Sequence, residues 1–236
     1  MAFPGTEISR RFVGNSGREY ARRFNETEKF VRLYQVNYYF APWVGENDDV
    51  LDLGCGDGLF LRTLHCRKRM GVEINDAARE LCEQRSEHAK IAVQLHRDIS
   101  QVADAAVDVV ISNHCLEHVI NPYGTLTQVL RVLRPGGRLV LVTPFDDWRG
   151  RIHGGWSPND PDNHLFTWSP RNIGNLVVEA GFSVQEVRMY RFACSPRLRW
   201  VLDMFGRQAF RAAGRALALY RQTGEVMVRA QKPCLS

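Results

Sequence analysis

No stretch of the 236-residue chain approaches the roughly 20 consecutive apolar residues that would cross a bilayer. The N-terminus, Met-Ala-Phe-Pro-Gly-Thr-Glu, lacks a basic start followed by an apolar run, so no secretory signal is expected. Cys-x-x-Cys pairs are missing too. The six cysteines (55, 66, 82, 115, 194 and 234) are scattered, which argues against a disulfide framework and against a structural zinc site. Internal repeats and low-complexity tracts are absent. With 44% apolar and 24% charged residues, one folded domain over 1–236 in a reducing cytoplasm is the expectation.

Acid is nearly missing from 191–224. Asp203 stands alone there against arginines 191, 197, 199, 207, 211, 215 and 221. The segment's net charge is +6 and the whole chain's is +5, which leaves the rest at about −1. An enzyme of nucleic acid more often spreads basic charge along its groove, so nucleic acid is not an expected partner. At helical spacing, residues 197–220 divide into two faces. Arg199, Asp203, Arg207, Arg211 and Arg215 fall on one. Leu198, Leu202, Phe205, Ala209, Ala212, Ala216 and Tyr220 fall on the other. The apolar side packs on the domain as a lid over substrate, or the helix lies on the inner, anionic face of a membrane. Gly206 and Gly214 favour two shorter helices over one rigid rod.

From residue 48 to 143 short apolar runs alternate with helical patterns, the mark of βαβ units and a parallel sheet. Strands are expected at Val50–Leu53, Met70–Ile74, Ala92–His96, Val107–Ser112 and Arg138–Thr143, with helices near 58–65, 76–86 and 123–133. Arg134-Pro135-Gly136-Gly137 stops the last of these helices. A polar loop reaches Asn163, and a helix follows from Ser169-Pro170 to Ala180-Gly181. Phe182–Tyr190 and Glu225–Ala230 supply two further strands. The first 45 residues read as a helical cap able to cover the ligand edge of the sheet.

Residues 50–58, Val-Leu-Asp-Leu-Gly-Cys-Gly-Asp-Gly, run from an apolar strand into a glycine turn. Glycine there permits a sharp turn and close approach of a ligand to the main chain. The helix beginning near Gly58 points its positive end at the site. Glu73, at the end of the next strand, is placed to accept bonds from both ribose hydroxyls. Dinucleotide folds share such an acid, but their Gly-x-Gly-x-x-Gly fingerprint needs glycine at position 59, where this chain has Leu59. Asp57 would sit badly beside a pyrophosphate and suits a ligand bearing sulfonium and ammonium.

On these residues, with Arg97-Asp98-Ile99, with Asp108-Val-Val-Ile-Ser-Asn113 and Leu-Glu-His118, and with Leu133-Arg-Pro-Gly-Gly-Arg-Leu-Val140, residues 48–143 resemble the class I S-adenosylmethionine-dependent methyltransferases. The nearest group resembles the small-molecule O-methyltransferases of ubiquinone, polysaccharide and natural-product pathways. The resemblance implies an α/β, Rossmann-like sheet of seven strands flanked by helices, the last strand antiparallel. Its core spans 48–190 and 224–232, with the cap at 1–45 and a basic helical insert at 191–223. It implies S-adenosylmethionine as cofactor. Gly54, Gly56 and Gly58 would wrap the methionine part, Asp52 would support the turn, and Glu73 with Ile74 would hold the ribose. Asp98 and Ile99 would contact the adenine, and Asn113 would lie near the transferring methyl.

Methyl transfer to a hydroxyl needs a base, and His114, His118, His153 and His164 are candidates. His164, in the loop through which the family admits substrate, is the expected base, and His118 is expected to be structural or close to the cofactor. His114, Glu117 and His118 fall at i, i+3 and i+4. Some ubiquinone-pathway relatives carry a Glu-x-x-Glu-His metal site at this place. Here His114 replaces the first acid, and no metal is expected. The Asn-Pro-Pro-Tyr and Pro-Cys patterns of nucleic-acid methylation are absent. Trp148, Trp156 and Trp168 could stack on a sugar or phenolic ring. The expected function is O-methylation of a small-molecule, glycan or lipid-linked intermediate. N-methylation of an amino sugar or small amine, or a silent cofactor-binding or membrane-adaptor role, are the alternatives.

Overall fold

The structure, a computed structural model, describes residues 8–22, 24, 26–145, 163–221 and 223–234. The polar loop holding Trp148, His153 and Trp156 lies outside the described residues. Seven strands form one sheet: β1 (Asp49–Leu53), β2 (Lys68–Val72), β3 (Gln94–His96), β4 (Val107–Asn113), β5 (Leu133–Pro144), β6 (Ser183–Tyr190) and β7 (Glu225–Gln231). Their spatial order is β3-β2-β1-β4-β5-β7-β6. Only β7 runs against its neighbours, pairing antiparallel with both β5 and β6, as expected for the last strand.

Seven α-helices accompany the sheet among the described residues: α1 (Gly14–Ala21), α2 (Glu26–Gln35), α3 (Leu59–Thr63), α4 (Asp76–His88), α5 (Pro122–Val132), α6 (Pro170–Glu179) and α7 (Arg199–Arg221). All five residues of β1 are buried, which is why that strand reads as a continuous apolar run and not as an alternation. One face packs Leu51, Leu53, Val110 and Leu139 under α5 and α6; the other packs Val50, Val109, Ile111 and Val140 against Phe40 and α3. α6 begins where the sequence signals it. Ser169 accepts from the backbone N–H of Asn172, with Pro170 in the first turn. β5 starts earlier than expected, at Leu133, because the Pro135–Gly137 turn is absorbed as an irregularity opposite Val107–Val109.

The N-terminal segment is tied to the sheet's ligand edge. Asn75 caps α4 and donates its Nδ2 to the Gly17 carbonyl at 2.7 Å. Ile8 bridges Val119, and Ser9 N–H donates to the His118 carbonyl.

α7 is broken at Gly206, one of the two glycines expected to divide it, but its packed face differs from the one expected. Gly206 takes φ 76° and ψ −177°, so the helical phase is broken there. The side chains that pack are Val201, Phe210 and Ala218, with Gly214 against the Phe192 ring; Phe205, Ala212, Ala216 and Tyr220 are exposed. No helix among the described residues is long and apolar enough to cross a membrane.

Candidate active site

The carboxyl ends of β1, β2 and β4 open onto a cavity of about 440 Å³, within the range of small-molecule sites. Asp52, Gly54, Gly56, Glu73, Asn113 and His114 line it from the sheet. Gly54, Gly56 and Gly58 all lie in the left-handed region, with φ 80°, 54° and 73°. A Cβ on Gly54 would meet Cys115 Sγ at 2.7 Å, and one on Gly56 the Phe24 ring at 2.8 Å. Gly58, just outside the cavity, is the N-cap of α3. Glu73 accepts from the N–H of Gly56 at 2.9 Å and of Asn75 at 2.9 Å, which locks the glycine turn to the end of β2. Burial raises its carboxyl above the usual range. The buried Asn113 Oδ1 has no partner among the described residues, so this cavity offers an acceptor for an ammonium or amide donor. The cradle and that acceptor fit S-adenosylmethionine.

Asp52 is 3% exposed, and burial pushes its carboxyl up to about 8. The unfolded chain releases that proton near pH 4. Asp52 therefore contributes stability at low pH that is lost as pH rises toward 8. Asp52→Asn is expected to gain in Tm relative to the parent as pH climbs from about 5 to 8, measured by thermal melts at each pH. A constant Tm difference would show that Asp52 is ionised throughout.

Asp57, Asp98 and Ile99 lie outside the lining of this cavity. Asp57 does not face the cavity as a counter-charge for sulfonium. It is buried and paired with Arg32, Arg62 and Arg85. Burial alone would raise its carboxyl, but the three guanidiniums outweigh burial and hold it below the usual range. Asp98 caps the turn Ile99–Gln101 through the Ser100 N–H at 2.8 Å, and Ile99 is fully buried in the core. Neither lines the cavity. Ile74 lines a small extension beyond Glu73, with Phe12, Cys115 and His118.

Residues from the cap that sequence reasoning did not single out close the cavity: Tyr20, Phe24, Val31, Arg32 and Gln35. Helical periodicity marks α2 as amphipathic but does not say which ligand its face meets. Arg32 sits over the Phe24 ring at 4.9 Å while pairing with Asp57.

His114 is the hinge between this cavity and a second one of about 310 Å³, whose walls include Tyr34, Tyr39, Phe145, Phe192 and Glu225. It follows β4 with φ 50°, an uncommon conformation for a side-chain-bearing residue, and its N–H bonds the Val142 carbonyl at 2.9 Å. His114 Nε2 lies 3.0 Å from Glu225 Oε1. Gln35 Nε2 donates to the same oxygen at 2.8 Å, and the Tyr39 hydroxyl donates to Oε2. Burial would raise the Glu225 carboxyl; the bonds from His114, Tyr39 and Gln35 outweigh it and keep it ionised below the usual range. Glu225 was legible as the start of a strand but not as a site residue. Its partners lie 186, 190 and 111 positions away.

His164, the expected base, lies elsewhere. Its ring packs on His118 at 5.1 Å, and it lines neither large cavity. His118 is wedged against Phe12 and bonds the Asn163 carbonyl; burial lowers it to about 4, so it is neutral at pH 7. Glu117, His118 and His164 bring one ligand atom each within 4.8 Å of one another, a geometry able to hold a divalent ion. That group differs from the trio at 114, 117 and 118, because His114 turns toward Glu225. Trp168 is buried, stacked on Phe166, and closes the core.

Comparison with known proteins places this geometry. A family model described as a methyltransferase domain matches residues 22–187. A probable S-adenosylmethionine-dependent methyltransferase of Mycobacterium tuberculosis is 29% identical over 72% of this chain and 61% of its own length. A ubiquinone biosynthesis O-methyltransferase of Dechloromonas aromatica is 27% identical over 52% of this chain and 57% of its own. The chain thus spans about three-fifths of the length of these curated relatives. In fold it is similar to a Haloferax volcanii methyltransferase solved with its methyltransferase activator. The TM-score is 0.69 at 17% identity, over 98% of this chain and 99% of that one. With the glycine cradle, the sheet order and the family match in agreement, the chain belongs to the class I S-adenosylmethionine-dependent methyltransferase family.

Proposed function

We propose that the chain methylates a hydroxyl oxygen of a small-molecule, glycan or lipid-linked biosynthetic intermediate. The observation that carries this reading is the His114–Glu225 pair at the junction of the two cavities. S-adenosylmethionine, when bound, supplies a methyl activated on sulfonium, so the O–C bond forms as C–S breaks and sulfur keeps the electron pair. The protein has to align the partners and remove one proton. Gly54, Gly56, Gly58 and Asn113 hold the methionine part, Asp52 supports the turn, and Glu73 and Ile74 hold the ribose. Asp98 and Ile99 flank the adenine end.

His114, its Nε2–H donated to Glu225, turns Nδ1 to the acceptor hydroxyl and takes its proton. Glu225 faces the imidazolium so formed and stabilises it. His114 thus takes the role expected of His164. Oxygen is favoured over nitrogen because Glu225, the carboxylate among the described residues of the second cavity's wall, is already engaged by three donors and is not free to receive a protonated amine. Labelled S-adenosylmethionine supplied with fractionated cell extract should yield an O-methyl ether. An N-methyl product, or tight cofactor binding with no transfer to any fraction, contradicts the reading.

The insert adds a membrane contact to this proposal. Trp200, Met204 and Phe205 are 57%, 71% and 62% exposed, beside the exposed Arg197, Arg199 and Arg207. The protein is expected to float with anionic liposomes, and Trp200→Ala/Phe205→Ala to stay at the bottom of the gradient. Absence of flotation by the parent protein would remove the membrane from the proposal.

A further inference from the structure

A third cavity, of about 270 Å³, opens beside the second between α2, the end of β6 and the distal half of α7. The two share Tyr34 and Phe192, whose rings stack at 4.8 Å and 23°. Four arginines line the third cavity, Arg188, Arg191, Arg211 and Arg215, with no carboxylate among its described lining residues; Arg191 also lies over the Phe145 ring at 5.9 Å. Arg211 lies over the Tyr38 ring at 5.5 Å, so its guanidinium is positioned by the aromatic wall. Arg188 lies over the Tyr190 ring at 5.3 Å. Its nearest acid, Glu186, is 3.9 Å away and is held closer by Arg229, at 2.8 Å. Among the described residues neither Arg211 nor Arg215 is paired with a carboxylate.

Grouped like charges repel, and solvated arginines have no need of a shared cleft. A planar guanidinium fork fixed on an aromatic ring is instead suited to the oxygens of a phosphoryl group, which it can bind in bidentate fashion. The spacing of α7 brings Arg211 and Arg215 onto one side, four residues apart. The adjacent second cavity carries the hydroxyl-activating pair, so a ligand reaching both would pass the Tyr34–Phe192 stack.

We propose that the acceptor bears a phosphoryl or diphosphoryl group that docks on Arg188, Arg191, Arg211 and Arg215 while its hydroxyl reaches His114. This inference rests on the reading of the second cavity as the acceptor site. The phosphoryl group belongs to a soluble phosphorylated metabolite or to a lipid-linked one, and both present the same oxygens to the cleft.

Inorganic pyrophosphate is the probe, titrated calorimetrically into the full chain with S-adenosylhomocysteine bound. Saturable binding is expected, and Arg211→Gln/Arg215→Gln should weaken it at least about tenfold, the loss of one to two charge-assisted bonds. Arg171→Gln/Arg221→Gln removes the same charge outside the cleft and should leave the affinity within about twofold of the parent. Circular dichroism and retained S-adenosylhomocysteine affinity certify the fold of each variant.

Vesicles of phosphatidylcholine with phosphatidic acid distinguish the sources. Binding that falls in the Arg211/Arg215 variant but not in the Arg171/Arg221 variant assigns a lipid-linked phosphate. Equal binding of the two variants alongside pyrophosphate affinity in the cleft assigns a soluble one. No saturable pyrophosphate binding, or equal loss in both double variants, overturns the inference. Either result leaves the transfer of label to oxygen as a separate test of the O-methylation reading. Failure of that transfer with pyrophosphate binding intact would fall on the reading alone.

Discussion

His114→Ala is expected to lower kcat for methyl transfer by about 100- to 10,000-fold, the usual worth of a positioned base. Cofactor affinity should change little on the proposed reading, in which Gly54, Gly56, Glu73 and Asn113, all in the cavity wall, hold the donor without the imidazole. A left-handed backbone at a non-glycine residue is retained only where its surroundings fix it, and the 2.9 Å bond to Val142 and the 3.0 Å contact with Glu225 do so. Glu225→Gln keeps the shape of the network and removes its charge. It should lower kcat by less than His114→Ala does. His164→Gln should turn over normally. Single-turnover kinetics with titration of S-adenosylhomocysteine separates the two effects. A large loss in His164→Gln with none in His114→Ala would move the base to the Glu117–His118–His164 group.

Asp57→Ala is expected to be the most destabilising single change at the cofactor turn, by roughly 3–5 kcal/mol, the range for breaking a buried ion group. The carboxylate is 2% exposed and engages arginines whose side chains are 16%, 11% and 40% exposed. Its removal would leave Arg32, Arg62 and Arg85 crowded together with no counter-charge. Since the folded carboxyl titrates below its unfolded value, this stabilisation is present above pH 4. It is lost as pH falls through the folded pKa, opposite in sign to Asp52. Chemical denaturation of the parent and variant should therefore show a gap at pH 7 that closes in acid. A gap below about 1 kcal/mol at pH 7 would mean that the arginines find other partners.

The parts of this site that are local in sequence were legible in it. A buried strand entering Gly54-x-Gly56-x-Gly58 specifies the turn through backbone conformations that only glycine adopts cheaply, and Leu59 separates it from a dinucleotide turn. The parallel sheet was legible in the alternating strands and helices, and its antiparallel last strand in the family resemblance. What was not legible depends on partners far along the chain. Asp57 reads as a turn acid until Arg32 and Arg85, 25 and 28 positions away, are seen beside it. Glu225 reads as a strand terminus until Gln35, Tyr39 and His114 converge on it. The break in α7 was legible in Gly206, but its buried face was not, because the two faces were drawn at one continuous phase and Gly206 at φ 76° resets it. Asp98, which the resemblance carries toward the adenine, also has a local part that the motif did not reveal, capping a turn through the Ser100 N–H.

The donor's sulfur is expected to face His114 at the mouth of the second cavity. A crystal structure with S-adenosylhomocysteine tests it most directly. The amino-acid part is expected on the Gly54–Gly58 turn with a donor at Asn113 Oδ1, the ribose at Glu73, and the thioether sulfur open to the cavity walled by Tyr34, Tyr39 and Phe192. A sulfur turned away from that cavity, or a ligand bound outside the glycine cradle, would contradict it.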